Sequence, residues 1–150
     1  MNISTKGRYG LRAMLDLAAN YQGKPVTLSA VAKRQGISEG YLEQLMMGLK
    51  KSHLVKSVRG AQGGYSLALA PEEITVGAVF RALEGPIAIV GCVSEDLPDE
   101  CGRFEGCATR LVWEEVTNKV AEVLDSYTLA FLIAKEQECK EFPSCVNKKK

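Results

Sequence analysis

The sequence predicts a mainly α-helical fold that carries one small β-wing and a long C-terminal helix, and three observations predict it. Apolar residues recur at i, i+3, i+4 and i+7 in several separate segments, the spacing that turns one face of a helix toward a core. Between residues 54 and 69 this gives way to two short strand-like runs around a glycine-rich tip, Gly60-Ala61-Gln62-Gly63-Gly64, which reads as a hairpin. Further on, Trp113, Val116, Val120, Val123, Tyr127 and Ala130 are spaced 3-4-3-4-3, an a/d heptad seam.

The totals set bounds. A chain of 150 residues, 46% hydrophobic and 25% charged, suits one globular domain or a compact domain with one long appended element. No apolar run approaches the ~20 residues that span a bilayer, and the N-terminus lacks a signal-peptide core, so a cytoplasmic chain with no membrane partner is expected. The net charge of +1 conceals an asymmetry: residues 1–65 hold ten Lys and Arg against three Asp and Glu, whereas residues 66–150 hold nine against fifteen. A basic first half supplies the phosphate attraction that DNA binding requires.

Taken in order, residues 5–21 carry Leu11, Met14, Leu15 and Ala18 at helical spacing and stop at Gly23-Lys24-Pro25. Lys6, Arg8 and Arg12 on this helix suit phosphate contacts or an ordinary solvated face. A short helix with Leu28, Val31 and Ala32 follows, then the turn Gly36-Ile37, then a helix opening at Ser38 whose Leu42, Leu45, Met46 and Leu49 form one stripe. Two helices joined by a glycine turn make a helix-turn-helix candidate.

Opposite that stripe lie Gly40, Gln44, Met47 and Lys51, with Glu43 and Lys50 on one flank. Ser38, Glu39, Gly40, Tyr41, Glu43 and Gln44 occupy the first turns, where a recognition helix meets base edges. Gln pairs with adenine and Glu accepts from the cytosine amine, so the residue types suit the major groove. A plain amphipathic helix with a solvated face is the competing reading. The strands, at 54–59 and 65–69, favour the first, because they make a wing. Arg59 at its base suits a phosphate or a minor groove, and Gly60 permits close backbone approach. Tyr65, Leu67 and Leu69 are expected on the inner side of the second strand. Residues 1–85 thus read as a winged helix-turn-helix DNA-binding domain.

Beyond Pro71, Thr75 caps a core helix with Val76, Val79, Phe80 and Leu83, closed by Gly85-Pro86. Residues 86–108 form a cysteine-bearing loop. A dimerisation helix region is expected over 109–138, beginning near Thr109, with Leu124 and Phe131 facing its own domain and a break at Asp125-Ser126. Residues 139–150 read as a flexible tail. A seam of this length on a small domain points to a homodimer, whose two recognition helices would meet successive major grooves of a roughly palindromic double-stranded DNA site.

Five cysteines are too few for a secreted disulfide scaffold. Cys92, Cys101 and Cys107 cluster on the loop and suit an iron-sulfur cluster or zinc; a thiol-disulfide switch or plain thiols are the other readings. Cys139 and Cys145 repeat the five-residue spacing of Cys101 and Cys107 and are assigned no role, with a redox pair or an extra ligand as the open readings. His53, the single histidine, reads as a surface or hinge residue. With no nucleophile beside a base and no substrate-shaped motif, an enzyme is not expected.

The segments ISTKGRYGLRAMLDLA, QGISEGYLEQLMMGLKKSHLVKSVRGAQGGYSLA, CATRLVWEEV and VLDSYTLAFLI resemble one family over about residues 1–134: the winged helix-turn-helix regulators that include IscR, NsrR and CymR. The resemblance implies a dimeric transcription factor, usually a repressor, with Ser38, Tyr41, Glu43 and Gln44 on the reading helix and Arg59 and Gly60 at the wing. It also implies that Cys92, Cys101 and Cys107 ligate an iron-sulfur cluster, of the 2Fe-2S type first and 4Fe-4S as the alternative, in a regulator of cluster assembly or sulfur genes. The first cysteine spacing is longer than in IscR, Arg110 stands where IscR has a histidine, and Arg8 where NsrR-type proteins have an acidic ligand, so the fourth ligand is unassigned; Glu95, Asp96, Asp99, Glu100, Glu105, the terminal cysteines or a small thiol are the candidates. STKGRYGL, LEGPI and VLDSYTL are similar to CymR, which implies the alternative: a cysteine-metabolism repressor governed by thiol redox or by a cysteine-synthesis enzyme as partner.

Overall fold

The structure is a computed structural model that describes residues 3–94 and 104–141. Its elements run α1 (Thr5–Asn20), α2 (Leu28–Gln35), α3 (Glu39–Lys51), β1 (Val55–Val58), β2 (Gly64–Leu67), α4 (Val76–Glu84), 3-10 turns at Gly91–Val93 and Phe104–Gly106, α5 (Ala108–Ser126) and α6 (Leu129–Glu141). Local chemistry starts the helices where they start. Ser4, Thr27, Ser38 and Thr75 each stand at an N-cap in extended conformation, and their hydroxyls accept from the amides of Gly7, Ala30, Tyr41 and Ala78. Gly36 ends α2 in the left-handed region, φ 63°, and so makes the turn into α3.

The strands pair antiparallel, Val55 opposite Leu67 and Val58 opposite Gly64. Val26 adds a bridge to the outer edge of β2, exchanging both backbone hydrogen bonds with Tyr65 at 2.8 Å. The core lies where α1, α2, α3 and α4 converge, on Met14, Leu17, Val31, Leu42, Leu45, Met46, Leu49, Ile74 and Val79. The expected stripe of α3 is therefore buried in full.

Three expectations are corrected. On α1 the buried face is Gly7, Gly10, Ala13, Met14 and Leu17, while Leu11, Leu15 and Ala18 are only half-buried. The rotation is caused by α4: a Cβ on Gly7 would stand 2.8 Å from Phe80, and one on Gly10 would overlap Leu83, so the glycines let α4 lie directly on the backbone of α1. A hydrophobicity pattern scores such glycines as nothing. On β2 the deeply buried residue is Ser66, at 4% exposure, with Tyr65 and Leu67 half-buried and Leu69 outside the strand and exposed. The strand is enclosed on both sides because Val26 and α1 pack over it as well.

The third correction concerns the C-terminal helix. The seam ends on α5 with Val123, because Tyr127 and Thr128 leave the helix and pair with the strand-like segment before α4. The Val76 amide donates to the Tyr127 carbonyl at 2.8 Å and the Leu129 amide to that of Ile74 at 2.9 Å. Leu129, fully buried, plugs α6 into the core. Phe131 does not face its own domain; it is 45% exposed and stacks on Tyr127 at 5.3 Å.

Candidate nucleic-acid interface

The outer face of α3 presents the side chains that the sequence singled out. Ser38, Glu39, Gly40, Glu43, Gln44 and Lys51 are exposed, with Tyr41 half-buried at their edge. Arg59 and Gly60, also exposed, follow β1 at the wing tip, where Gly60 has φ 111°. Lys50 connects the two parts, its Nζ donating to Ser57 Oγ at 2.6 Å, so the end of the helix and the wing strand are held together. His53 comes just after α3 with φ 58°, exposed, its amide donating to the Lys50 carbonyl; it is a helix terminator.

Residues that sequence reasoning passed over set the angle of the reading pair. Asp16 on α1 has a buried carboxylate that accepts from Arg34 Nη2 at 2.6 Å, Arg34 Nε at 2.9 Å and Gln35 Nε2 at 2.8 Å, all from the end of α2. The Asp16 hydrogen bond raises the pKa of the Arg34 guanidinium above its ordinary value. Arg12 donates to the Gln35 side chain at 3.1 Å and its carbonyl at 2.9 Å, and lies over the Tyr9 ring, which meets Tyr41 edge-on at 6.2 Å. Arg12 is thus engaged in positioning α2 against α1, whereas Lys6 and Arg8 are exposed. The available signal was an aspartate set between Leu15 and Leu17 on a buried helix.

A second polar clamp joins the reading unit to α5. Arg81 Nη1 and Nη2 donate to the two Asp125 oxygens at 2.7 Å each, and the Thr75 hydroxyl donates to Asp125 Oδ1 at 3.3 Å. Gly77 leaves room for this carboxylate, which a Cβ there would overlap. The Arg81 hydrogen bonds hold the Asp125 carboxyl below its usual range; burial opposes them, and the guanidinium charge and Thr75 add to them. A depressed carboxyl stabilises the fold above its unfolded pKa of ~3.9 and loses that contribution as pH falls through the folded value. The difference in melting temperature between the native chain and Asp125→Asn is therefore expected to be constant near neutrality and to shrink below about pH 4, as read by thermal scans across pH.

On α5, Trp113, Val116 and Val123 are 38%, 37% and 55% exposed, and Val116, Val120, Val123 and Leu124 line an open apolar depression flanked by Glu115 and Lys119. Cys92 sits in the 3-10 turn that packs on α5, and Cys107 holds the N-cap position of α5 with Sγ 3.1 Å from Thr109 Oγ1; both are half-buried. Cys101 and Cys145 lie outside the described residues, as do the acidic candidates between positions 95 and 100; Glu105 is exposed. No three His, Cys, Asp or Glu side chains come together as a metal site among the described residues. The donor chemistry of Cys92 and Cys107, two soft sulfurs anchored at the two ends of the segment bearing Cys101, fits a thiolate-ligated group. Among the described residues no helix is long and apolar enough to cross a membrane.

A glycine-turned helix pair, a two-stranded wing and a basic reading half define a winged helix-turn-helix regulator that binds DNA. The model of the Rrf2 family, iron-dependent transcriptional regulator, matches residues 3–135, and the chain belongs to this family. It is 45% identical to the transcriptional regulator CymR of Bacillus subtilis over 129 residues, 86% of this chain and 87% of that protein. Identity to IscR of Erwinia tasmaniensis is 39% over 137 residues, 91% of this chain and 81% of the relative. Among solved structures, CymR (YrzC), the global cysteine regulator of B. subtilis, superposes with a TM-score of 0.72 at 45% identity, covering 90% of this chain and 98% of that one. IscR of T. potens gives 0.75 at 45% identity, covering 93% and 90%. The chain is a regulator and not an enzyme.

Proposed function

We propose that the chain acts in the cytoplasm as a homodimeric repressor that reads a roughly palindromic operator, and that an iron-sulfur cluster on Cys92, Cys101 and Cys107 sets its hold on that operator. In this reading residues 1–85 contact DNA, 86–108 sense, 109–138 pair the subunits and 139–150 form a tail. The observation that carries the DNA reading is the exposed row Ser38, Glu39, Gly40, Glu43, Gln44 and Lys51, tied through Lys50 and Ser57 to the wing that bears Arg59 and Gly60. Tyr41 closes the edge of that row. Gln44 and Glu43 serve as base readers, and Lys51 and Arg59 as phosphate or minor-groove contacts. Gln44→Ala is expected to weaken the specific site by about 1–3 kcal/mol. Arg59→Ala is expected to weaken all sequences alike and to lower the salt slope by about one. Both are read by fluorescence anisotropy across a salt series.

The sensing half is supported by the positions of Cys92 and Cys107, which attach the loop to α5 at one end and begin α5 at the other. A bound cluster of the 2Fe-2S or 4Fe-4S type would make DNA affinity responsive to iron and oxidants. The test is anaerobic purification followed by an absorption spectrum and iron and sulfide assays, with Cys92→Ala beside the native chain. Colourless protein that takes up no iron on reconstitution, or a Cys92→Ala chain with unchanged promoter control, sinks the cluster reading.

The second reading is control by a protein partner, a cysteine-synthesis enzyme, or by thiol redox. Arg110 favours it, since its guanidinium does not deprotonate to become a ligand, while identity is even-handed, 45% to both the B. subtilis CymR and the T. potens IscR structures. Operator binding that changes on adding such an enzyme, in iron-free protein, would select it.

A further inference from the structure

We propose that Met47 reads the 5-methyl group of a thymine in the operator, a specificity-determining contact that rests on the DNA reading above. Met47 is 64% exposed, more than any other large apolar side chain in residues 3–94, although its neighbour Met46 is fully buried in the core. It lies four residues from Glu43, three from Gln44 and Lys50, and seven from Gly40, so it stands among the exposed reading residues and not beside the leucine stripe. Gly40, one heptad earlier, offers nothing within 4 Å of where a Cβ would stand, so the first turn presents bare backbone and the helix approaches the groove closely at this face. Lys50 and Lys51 follow about one turn on, and the reading half is strongly basic, which commits this face to a polyanion and not to an apolar protein surface.

Of the four bases, thymine alone shows an apolar group in the major groove, beside its O4 acceptor. A methionine has no donor with which to read a base polar edge, but its unbranched thioether adapts to a methyl group. Three residues of helix advance about 4.5 Å and one base pair about 3.4 Å, so the methyl read by Met47 lies about one base pair from the base read by Gln44.

The test starts by selecting the preferred site of the native chain from a random duplex pool. Each thymine of one half-site is then replaced in turn by deoxyuridine, which lacks only the methyl, and affinity is measured at fixed salt for the native chain, Met47→Ala and the length-preserving Met47→Gln. One replacement is expected to weaken the native chain by about three- to fivefold, the value of one buried methyl. Met47→Ala and Met47→Gln are expected to bind the site but to be indifferent to that replacement. Indifference of the native chain to every replacement overturns the assignment, and so does unchanged sensitivity in both variants. A native chain that selects no site at all overturns the proposed DNA reading and this inference with it.

Discussion

On the proposed pairing through α5, a chain carrying Val123→Asp is expected to sediment as a monomer and to bind its operator about 10²- to 10⁴-fold more weakly than the native chain. Val123 is 55% exposed on α5, so a carboxylate there costs the isolated subunit little. In a dimer paired through this seam the same substitution buries two like charges, each at a penalty of several kcal/mol. Losing the second subunit converts an intramolecular docking of two half-sites into two independent ones, which removes the effective concentration that multiplies their affinities. Analytical ultracentrifugation and anisotropy give both numbers. A variant that remains dimeric with native operator affinity would show that the α5 seam is not the pairing surface.

Gly64→Ala should lower stability by about 3 kcal/mol, since overpacking and a strained backbone each cost about 1–3 kcal/mol. For a chain of this size that is a fall of roughly 6–12 °C in melting temperature. Gly64 has φ 156°, and a Cβ would overlap the carbonyl of Val26, a backbone atom that has no rotamer in which to move aside. Relief would part Val26 from Tyr65 and break the paired hydrogen bonds that seat the wing on the linker between α1 and α2. DNA affinity is expected to fall with stability, because the wing loses its position relative to α3. Gly40→Ala is the control: its site is open, and in a helix the change is expected to stabilise by about 0.5–1 kcal/mol. Calorimetry that finds the same sign for both substitutions would refute the argument.

Much of the reading face was legible because its information is local. The stripe of α3 and the hydroxyl caps at Ser38 and Thr75 depend on residues within a turn of one another, and each appears in the structure as the spacing requires. The glycine tip between the strands is equally local. The α1 face was only partly legible for the opposite reason: Met14, Leu11 and Leu15 do meet the core, but burial of Gly7 and Gly10 is decided by Phe80 and Leu83, some seventy residues away. Asp16 is similar, since a charged residue is scored as exposed until Arg34 and Gln35 are seen to enclose it. The break after α5 was foreseen at Asp125-Ser126, but the aspartate's purpose was not. Its carboxylate grips Arg81 on α4, and the break follows two residues on, at Tyr127 and Thr128.

By itself, then, the order of residues determined the helices, the wing, the family and the opposed charges of the two halves, because periodicity, capping and composition act over one or two turns of chain. Only the tertiary structure decided which face of α1 is inside, how α2 is braced by Asp16, and that Leu129 returns α6 to the core. Those outcomes depend on steric fit and charge pairing between segments far apart in sequence, which no local pattern encodes.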